Sequence, residues 1–166
     1  MSEWSRPASS LARVEPRGSR LPARPVDTLE FLAFVLDTEA YAVPLAEVRE
    51  ILKVPAITDV PRAGPDVLGI LSLRGTVVTL VDLRRRIGLP EHPFDRRTRV
   101  LVVQRADESI GLLVDAVTEV VRLRREEIED KPAVPGTRHA EFLAGVGRPG
   151  NALYVLLNLE AVLAGL

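Results

Sequence analysis

An internal repeat is the feature that most constrains what this chain can fold into. Moving the segment that begins at Leu29 forward by 69 positions lays LEFLAFVLDTEAYAVPLAEVREIL over TRVLVVQRADESIGLLVDAVTEVV without a gap. Phe31, Leu32, Ala33 and Phe34 fall on Val100, Leu101, Val102 and Val103, while Glu39, Val48 and Glu50 fall on the identical Glu108, Val117 and Glu119. A shift of 76 lays GILSLRGTVVTLVDL from Gly69 over GVGRPGNALYVLLNL from Gly145, with Asp82 over Asn158. The two offsets differ by 7, which one longer loop in the second copy absorbs. Identities are few and β-rich strings align easily, so duplication rests on the order of the matched segments. Each copy has about 60 to 70 residues, a size at which a lone domain keeps too little apolar surface out of water. The halves, 28–97 and 98–166, are therefore expected to interlock as two subdomains.

From Leu29 onward, short β-rich runs alternate with Gly, Pro, Asp and Glu punctuation: 29–36, 41–43, 69–73, 76–81, 99–104, 110–114, 116–123 and 152–157. FLAFVL at 31–36, VLVV at 100–103 and LYVLL at 153–157 lack the alternation of a half-exposed strand, so both their faces need cover. In a small barrel one face fills the interior; the other must meet the second half, a helix or a partner. Helices are short. Asp82 before LRRRIG and Asn158 before LEAVLAG can each cap free N–H groups as a strand ends, and Leu83 with Ile87 and Leu159 with Leu163 give each helix one buried stripe. LAEVREIL at 45–52 reads either as a third helix or as an extended run with a local turn. Pro55, Pro61 and Pro65 make 53–66 an irregular connection, 124–141 takes that place in the second half, and GVGRPG at 145–150 reads as a hairpin turn.

The chemistry that would mark an enzyme is missing from the pattern. Cysteine is absent, which excludes disulfides and thiolate metal sites and fits a reducing cytoplasm. His92 and His139 are the only histidines, and neither has an acid at a metal-ligand spacing. The chain carries no G-x-S-x-G, Walker or G-x-G-x-x-G motif, and GVGRPG precedes a strand where a phosphate loop would open a helix. Glu126 and Glu127 lie in a polar connection and read as a solvated face. No catalytic residue, metal or cofactor is expected. A net charge of -1 gives no long-range attraction to nucleic acid or anionic lipid. No apolar run approaches the roughly 18 residues that span a bilayer, so no membrane insertion is expected. The first 27 residues, rich in Pro, Ser and Arg, lack an apolar signal-peptide core and read as a disordered tail.

The segment VLGILSLRGTVVTLVDLRRRIGL, 67–89, has a mechanical reading: Gly69 permits a bulge or close approach, Arg74-Gly75 fits a tight turn, and Asp82 closes a strand while opening a helix. It resembles the CheW family of chemotaxis coupling proteins, whose pattern is a glycine, a short strand, Leu-Arg-Gly, an apolar strand and Asp-Leu-Arg. FLAFVLDTEAYAVPLAEVREIL is similar to the family's opening strands and V-x-E-I turn. RVLVVQRADESIGLLVDAVTEVVRL is similar to its second half, with Gly111 and Asp115 in the I-G-x-x-V-D pattern. Together these cover about residues 29–165.

The resemblance implies an all-β-dominated fold with a few short helices, in which two pseudo-repeated SH3-like β-barrel subdomains pack side by side. It implies a cytoplasmic, non-catalytic adaptor, recruited to receptor arrays, that bridges chemoreceptor tips to the regulatory domain of a CheA-type histidine kinase. By motif position Val48, Glu50, Gly69 and Arg74 would lie at or near the receptor- and kinase-binding surfaces. Gly69 either serves backbone geometry alone or also shapes a contact. Arg74 is either solvated or paired, with Glu50 its natural partner. Asp82 is expected only to cap. A second reading is a tandem SH3-like nucleic-acid-binding protein using the arginine clusters at 84–86, 96–99 and 122–125, although aromatic residues are not interleaved with them.

Overall fold

The computed structural model of the chain describes residues 27–130 and 140–166; the expected tail, apart from Asp27, and His139 lie outside these. In chain order it contains β1 (Thr28–Leu36), β2 (Glu39–Pro44), β3 (Val48–Lys53), β4 (Val67–Leu73), β5 (Thr76–Asp82), α1 (Leu83–Ile87), β6 (Arg99–Arg105), β7 (Glu108–Val114), β8 (Ala116–Arg124), β9 (Ile128–Asp130), β10 (Leu143–Gly147), β11 (Tyr154–Leu157) and α2 (Leu159–Leu163). The repeat holds in three dimensions. Shifted by 76, α1 coincides with α2 residue for residue, and β4 and β5 fall on β10 and β11. Both helices are capped as their sequences require: Asp82 accepts a hydrogen bond from the Arg84 N–H at 3.0 Å and Asn158 accepts one from the Ala161 N–H at 3.3 Å.

The strands form two sheets, in the orders β8-β1-β2-β11-β10-β9 and β3-β6-β7-β5-β4. Neither sheet belongs to one half. The β1–β2 hairpin joins strands of the second repeat, and the β6–β7 hairpin joins strands of the first. The seams are two parallel pairs, β2–β11 and β5–β7, and two antiparallel ones, β1–β8 and β3–β6. The boundary at 97/98 thus separates sequence repeats and not structural subdomains: a bare hairpin has two open edges, and strands of the other repeat pair with both.

Strands apolar on both faces now have a cause. Along β1, Leu32, Phe34 and Leu36 enter a large core shared between the sheets, while Phe31 and Ala33 enter a small core behind the first sheet. Along β6, Leu101 and Val103 enter the shared core, and Val100 and Val102 enter the interior of the second sheet. The period of 2 therefore sorts residues between two buried compartments, not between core and water. Both helices feed the shared layer, through Leu83 and Ile87 and through Leu159, Val162 and Leu163. The result is strand-dominated, with two SH3-like barrels side by side and the largest hydrophobic cluster between them.

Two local expectations change. The 45–52 segment is the extended alternative: a 3-10 turn, Leu45–Glu47, leads into β3. GVGRPG is not all turn, because β10 runs through Gly147. A Cβ at Gly145 would lie 2.6 Å from the Glu129 carbonyl oxygen, and one at Gly147 would lie 2.5 Å from Leu123 Cδ1. Close approach of β9 and β8, not turn formation, demands these glycines.

Candidate functional site

The β4–β5 hairpin closes through Arg74 and Gly75, both left-handed with φ of 49° and 82°. This is the geometry of the two-residue turns that match strand twist. Glycine adopts it freely, whereas a residue with a Cβ does so at a cost of about 1–2 kcal/mol. Arg74 therefore holds its position against local preference. Its guanidinium donates to the Glu50 carboxylate on β3. β3 and β4 are the two outer strands of their sheet, so this ion pair spans the sheet's opposite edges where it curls into a barrel. With Arg74 largely exposed, the pair adds only about 0–1 kcal/mol and serves to position its groups.

Glu50 follows a bulge. β3 pairs Val48 with Val103 and Glu50 with Val102, leaving Arg49 as the extra residue. Val48, half-buried, packs against the shared core. Gly69 also lies at a bulge, with φ 150°, beneath the strap that leads from β3 to β4. Thr58 and Ile70 exchange backbone hydrogen bonds of 2.9 Å there, and a Cβ on Gly69 would lie 2.7 Å from Ile57 Cγ2 and collide with the Thr58 carbonyl oxygen. The structure thus gives buried Gly69 a geometric role. Glu50 and Arg74 meet directly, Val48 adjoins them along β3, and Gly69 sits lower on the hairpin that carries Arg74.

Two motifs that the sequence leaves apart come together out of sight of solvent. Arg84 of the Asp-Leu-Arg pattern is fully buried, with Nη1 3.2 Å from Asp115 Oδ1, Nε 3.5 Å from Asp82 Oδ1 and Nη2 donating to the His92 carbonyl at 2.8 Å. The second Asp115 oxygen accepts the Asp37 N–H of the β1–β2 turn at 2.7 Å. One aspartate therefore links a helix packed on the second sheet to a turn of the first. The signal was available as two motifs ending in acid or base, but their contact was not. Arg86 makes a parallel link, donating to the Val162 carbonyl at 2.7 Å and to the Ala164 carbonyl, with its guanidinium 5.5 Å from the Phe142 ring centroid.

With Arg85 Nε 2.8 Å from Glu91 Oε1, these contacts account for the first arginine cluster. The third is also paired: Arg122 with Glu30 at 3.3 Å, Arg124 with Glu127 at 3.4 Å and Arg125 with Asp27 at 2.9 Å. Two of the three clusters that a nucleic-acid reading needs are thus already paired with carboxylates. Among the described residues no group of three or more His, Asp or Glu side chains is placed to hold a metal ion, and no helix is long and apolar enough to cross a membrane. His92 lies in an exposed loop, its Nδ1 2.8 Å from the Pro93 carbonyl oxygen.

Among the described residues, four of the eight exposed large apolar side chains fall in pairs related by the repeat. Ile51 and Val120, 42% and 47% exposed, differ by 69 positions, the offset of the first repeat segment. Val77 and Leu153, 60% and 53% exposed, differ by 76, the offset of the second. Ile51 and Val120 lie on edge strands β3 and β8, while Val77 and Leu153 flank the two equivalent hairpin turns. Sequence periodicity hid them among buried neighbours of the same type. Chemically, the arrangement offers paired apolar footholds with an exposed ion pair near one of them.

A family model described as CheW-like domain matches residues 30–166. The chain is 32% identical over 137 residues to the chemotaxis protein CheW of Helicobacter pylori, covering 82% of each chain. It is 32% identical over 134 residues to the chemotaxis protein CheW of Bacillus subtilis, covering 81% of this chain and 86% of that one. The solved scaffolding protein TtCheW of Thermoanaerobacter tengcongensis superposes with a TM-score of 0.76 at 26% identity, over 82% of this chain and 92% of that one.

Proposed function

The chain belongs to the family of CheW-like domains, and from that premise we propose that it is a non-catalytic cytoplasmic adaptor coupling chemoreceptor tips to the regulatory domain of a CheA-type histidine kinase. The observation that carries this reading is the recurrence of exposed apolar side chains at equivalent positions of the two repeats. A monomer with repeated faces can hold two partners at once, and apolar anchors with polar surroundings are how such faces bind. The helical tip of a receptor supplies an apolar stripe for one groove. A kinase domain of similar fold meets another barrel face. Val48, Glu50 and Arg74 contribute to these surfaces, with Gly69 setting the strap beneath the hairpin. Arginine in a left-handed turn position supports a role for Arg74, because local strain persists where the side chain is needed.

The test is reconstitution from the full-length chain, a receptor signalling fragment and a CheA-type kinase. The three should co-sediment, and kinase output should follow receptor state only when the chain is present, since coupling requires differential contacts in the two states. Arg74→Ala should weaken the assembly while changing stability by no more than about 1 kcal/mol. Receptor control without this chain, or no ternary complex with it, overturns the adaptor reading. Unchanged assembly by the Arg74→Ala protein overturns the site assignment alone.

A further inference from the structure

The second arginine cluster differs from the other two. Among the described residues, no carboxylate lies within ion-pair distance of Lys53, Arg96, Arg97 or Arg99. Lys53 of β3 and Arg99 of β6 are direct cross-strand partners, so two cations project side by side from one face of the sheet. Like charges in that register are destabilising. With Phe94 and Arg96 they line an open concavity of about 480 Å³, whose apolar part is the half-exposed Phe94 and Val54.

The concavity is built, not incidental. Thr98 is buried, and its hydroxyl accepts the Asp95 N–H at 2.8 Å while its own N–H donates to the Asp95 carbonyl at 3.2 Å. The Asp95 carboxylate, the one acid in the lining, accepts the Arg97 N–H at 2.7 Å. Arg99 Nη1 donates to the carbonyls of Arg96 and Thr98 at 2.7 and 2.8 Å, which fixes its guanidinium over the turn. One of the site's cations, Arg99, is thus held in place, and its acid is engaged by backbone.

We propose that this concavity is a docking site for an acidic peptide segment of a protein partner, with Lys53, Arg96 and Arg99 pairing its carboxylates and Phe94 with Val54 receiving an apolar residue beside them. Charge complementarity names the acid: an arriving carboxylate relieves the repulsion between Lys53 and Arg99 and meets a guanidinium already held in place. The compact shape favours a peptide over a nucleic acid, which needs a track of cations along its backbone. The other two clusters, paired internally, do not extend such a track. The site adjoins the exposed Ile51, which shares the outer face of β3 with Lys53, but includes none of Val48, Glu50, Gly69 and Arg74.

The probe is a fluorescein-labelled glutamate-rich peptide containing one phenylalanine, titrated into the full-length chain. Binding should saturate, and the backbone amide resonances that shift should cluster at 53–54 and 94–99. Arg96→Glu and Lys53→Glu should each weaken binding by about tenfold or more, because each reverses a charge facing the peptide. Arg124→Glu, in a paired cluster, should leave it unchanged. Lys53→Glu replaces a like-charge cross-strand pair with an opposite one, so its melting temperature should not fall, and lost binding cannot be laid to unfolding. Oligodeoxythymidine is the second arm. No saturable binding, equal affinity in all three variants, or tighter binding of the oligonucleotide than of the peptide overturns the proposal.

Discussion

At the scale of single residues, Arg84 shows how little a side chain's type says about its setting. In sequence it is one of three consecutive arginines and reads as surface; in the fold it is the largest fully buried side chain. Nothing local distinguishes it from Arg85, because its partner Asp115 arrives from the end of β7. Removing one member of a buried pair leaves the other charge without compensation, at about 3–5 kcal/mol. Arg84→Ala should therefore lower the urea midpoint by far more than Arg74→Ala. Asp115→Asn in the Arg84→Ala background should add less than it does alone, because the two share one interaction. The chain's two tyrosines give a second expectation. Burial first, and then Glu39, raise the ionisation of the Tyr41 hydroxyl; the hydrogen bond to Glu119 leads in raising that of Tyr154. Both ordinarily ionise near pH 10.0, so above that pH the folded chain binds more protons than the unfolded one. The stabilisation is fully present below pH 10 and is lost as pH rises through the elevated values. In an alkaline titration, phenolate absorbance should lag a free-tyrosine control and then rise together with loss of the β-sheet circular dichroism signal. A normal native titration near pH 10 would contradict this.

At the scale of elements, turns and caps were legible and close approaches were not. Arg74-Gly75, Asp82 and Asn158 act through neighbours within three residues, so their roles can be read locally. β3, β9 and β10 escape such reading. The first follows a 3-10 turn, the second has three residues, and the third is punctuated by glycines whose reason is a neighbouring strand. The same distinction separates two glycines of one hairpin. At Gly75 an added Cβ meets nothing within 4 Å, so Gly75→Ala should cost only the left-handed backbone term of about 1–2 kcal/mol. At Gly69 the Cβ meets the Ile57–Thr58 strap as well, so Gly69→Ala should cost about 3 kcal/mol or more and loosen the 53–66 connection. Thermal melts of the two variants, with hydrogen exchange at Ile70, test the ordering; equal losses would remove the packing role of Gly69.

At the scale of the whole molecule, the repeat announced two similar halves that pack on each other, the family resemblance implied the barrels, and the apolar strands announced that more than a barrel interior had to be filled. The exchange of hairpins was hidden, since either pairing of four matched hairpin edges satisfies the same strand pattern. Because each sheet needs strands from both repeats, fragments 1–97 and 98–166 should each fail to fold alone and should recover native spectra only when mixed. The intact chain should unfold in a single transition by two probes, and two separate transitions would mean that the barrels are independent after all. The same exchange governs how the protein comes into being. A ribosome releases β1 and β2 first, yet β11, the parallel neighbour of β2, comes after every other strand of both sheets. The apolar hairpin of the first repeat therefore waits with an open edge at β2 until β11 is made, whereas the second sheet has all its strands once β7 ends at Val114. The two barrels therefore become complete at different points of synthesis, and the interval before the first sheet closes is when a chaperone has an apolar edge to hold.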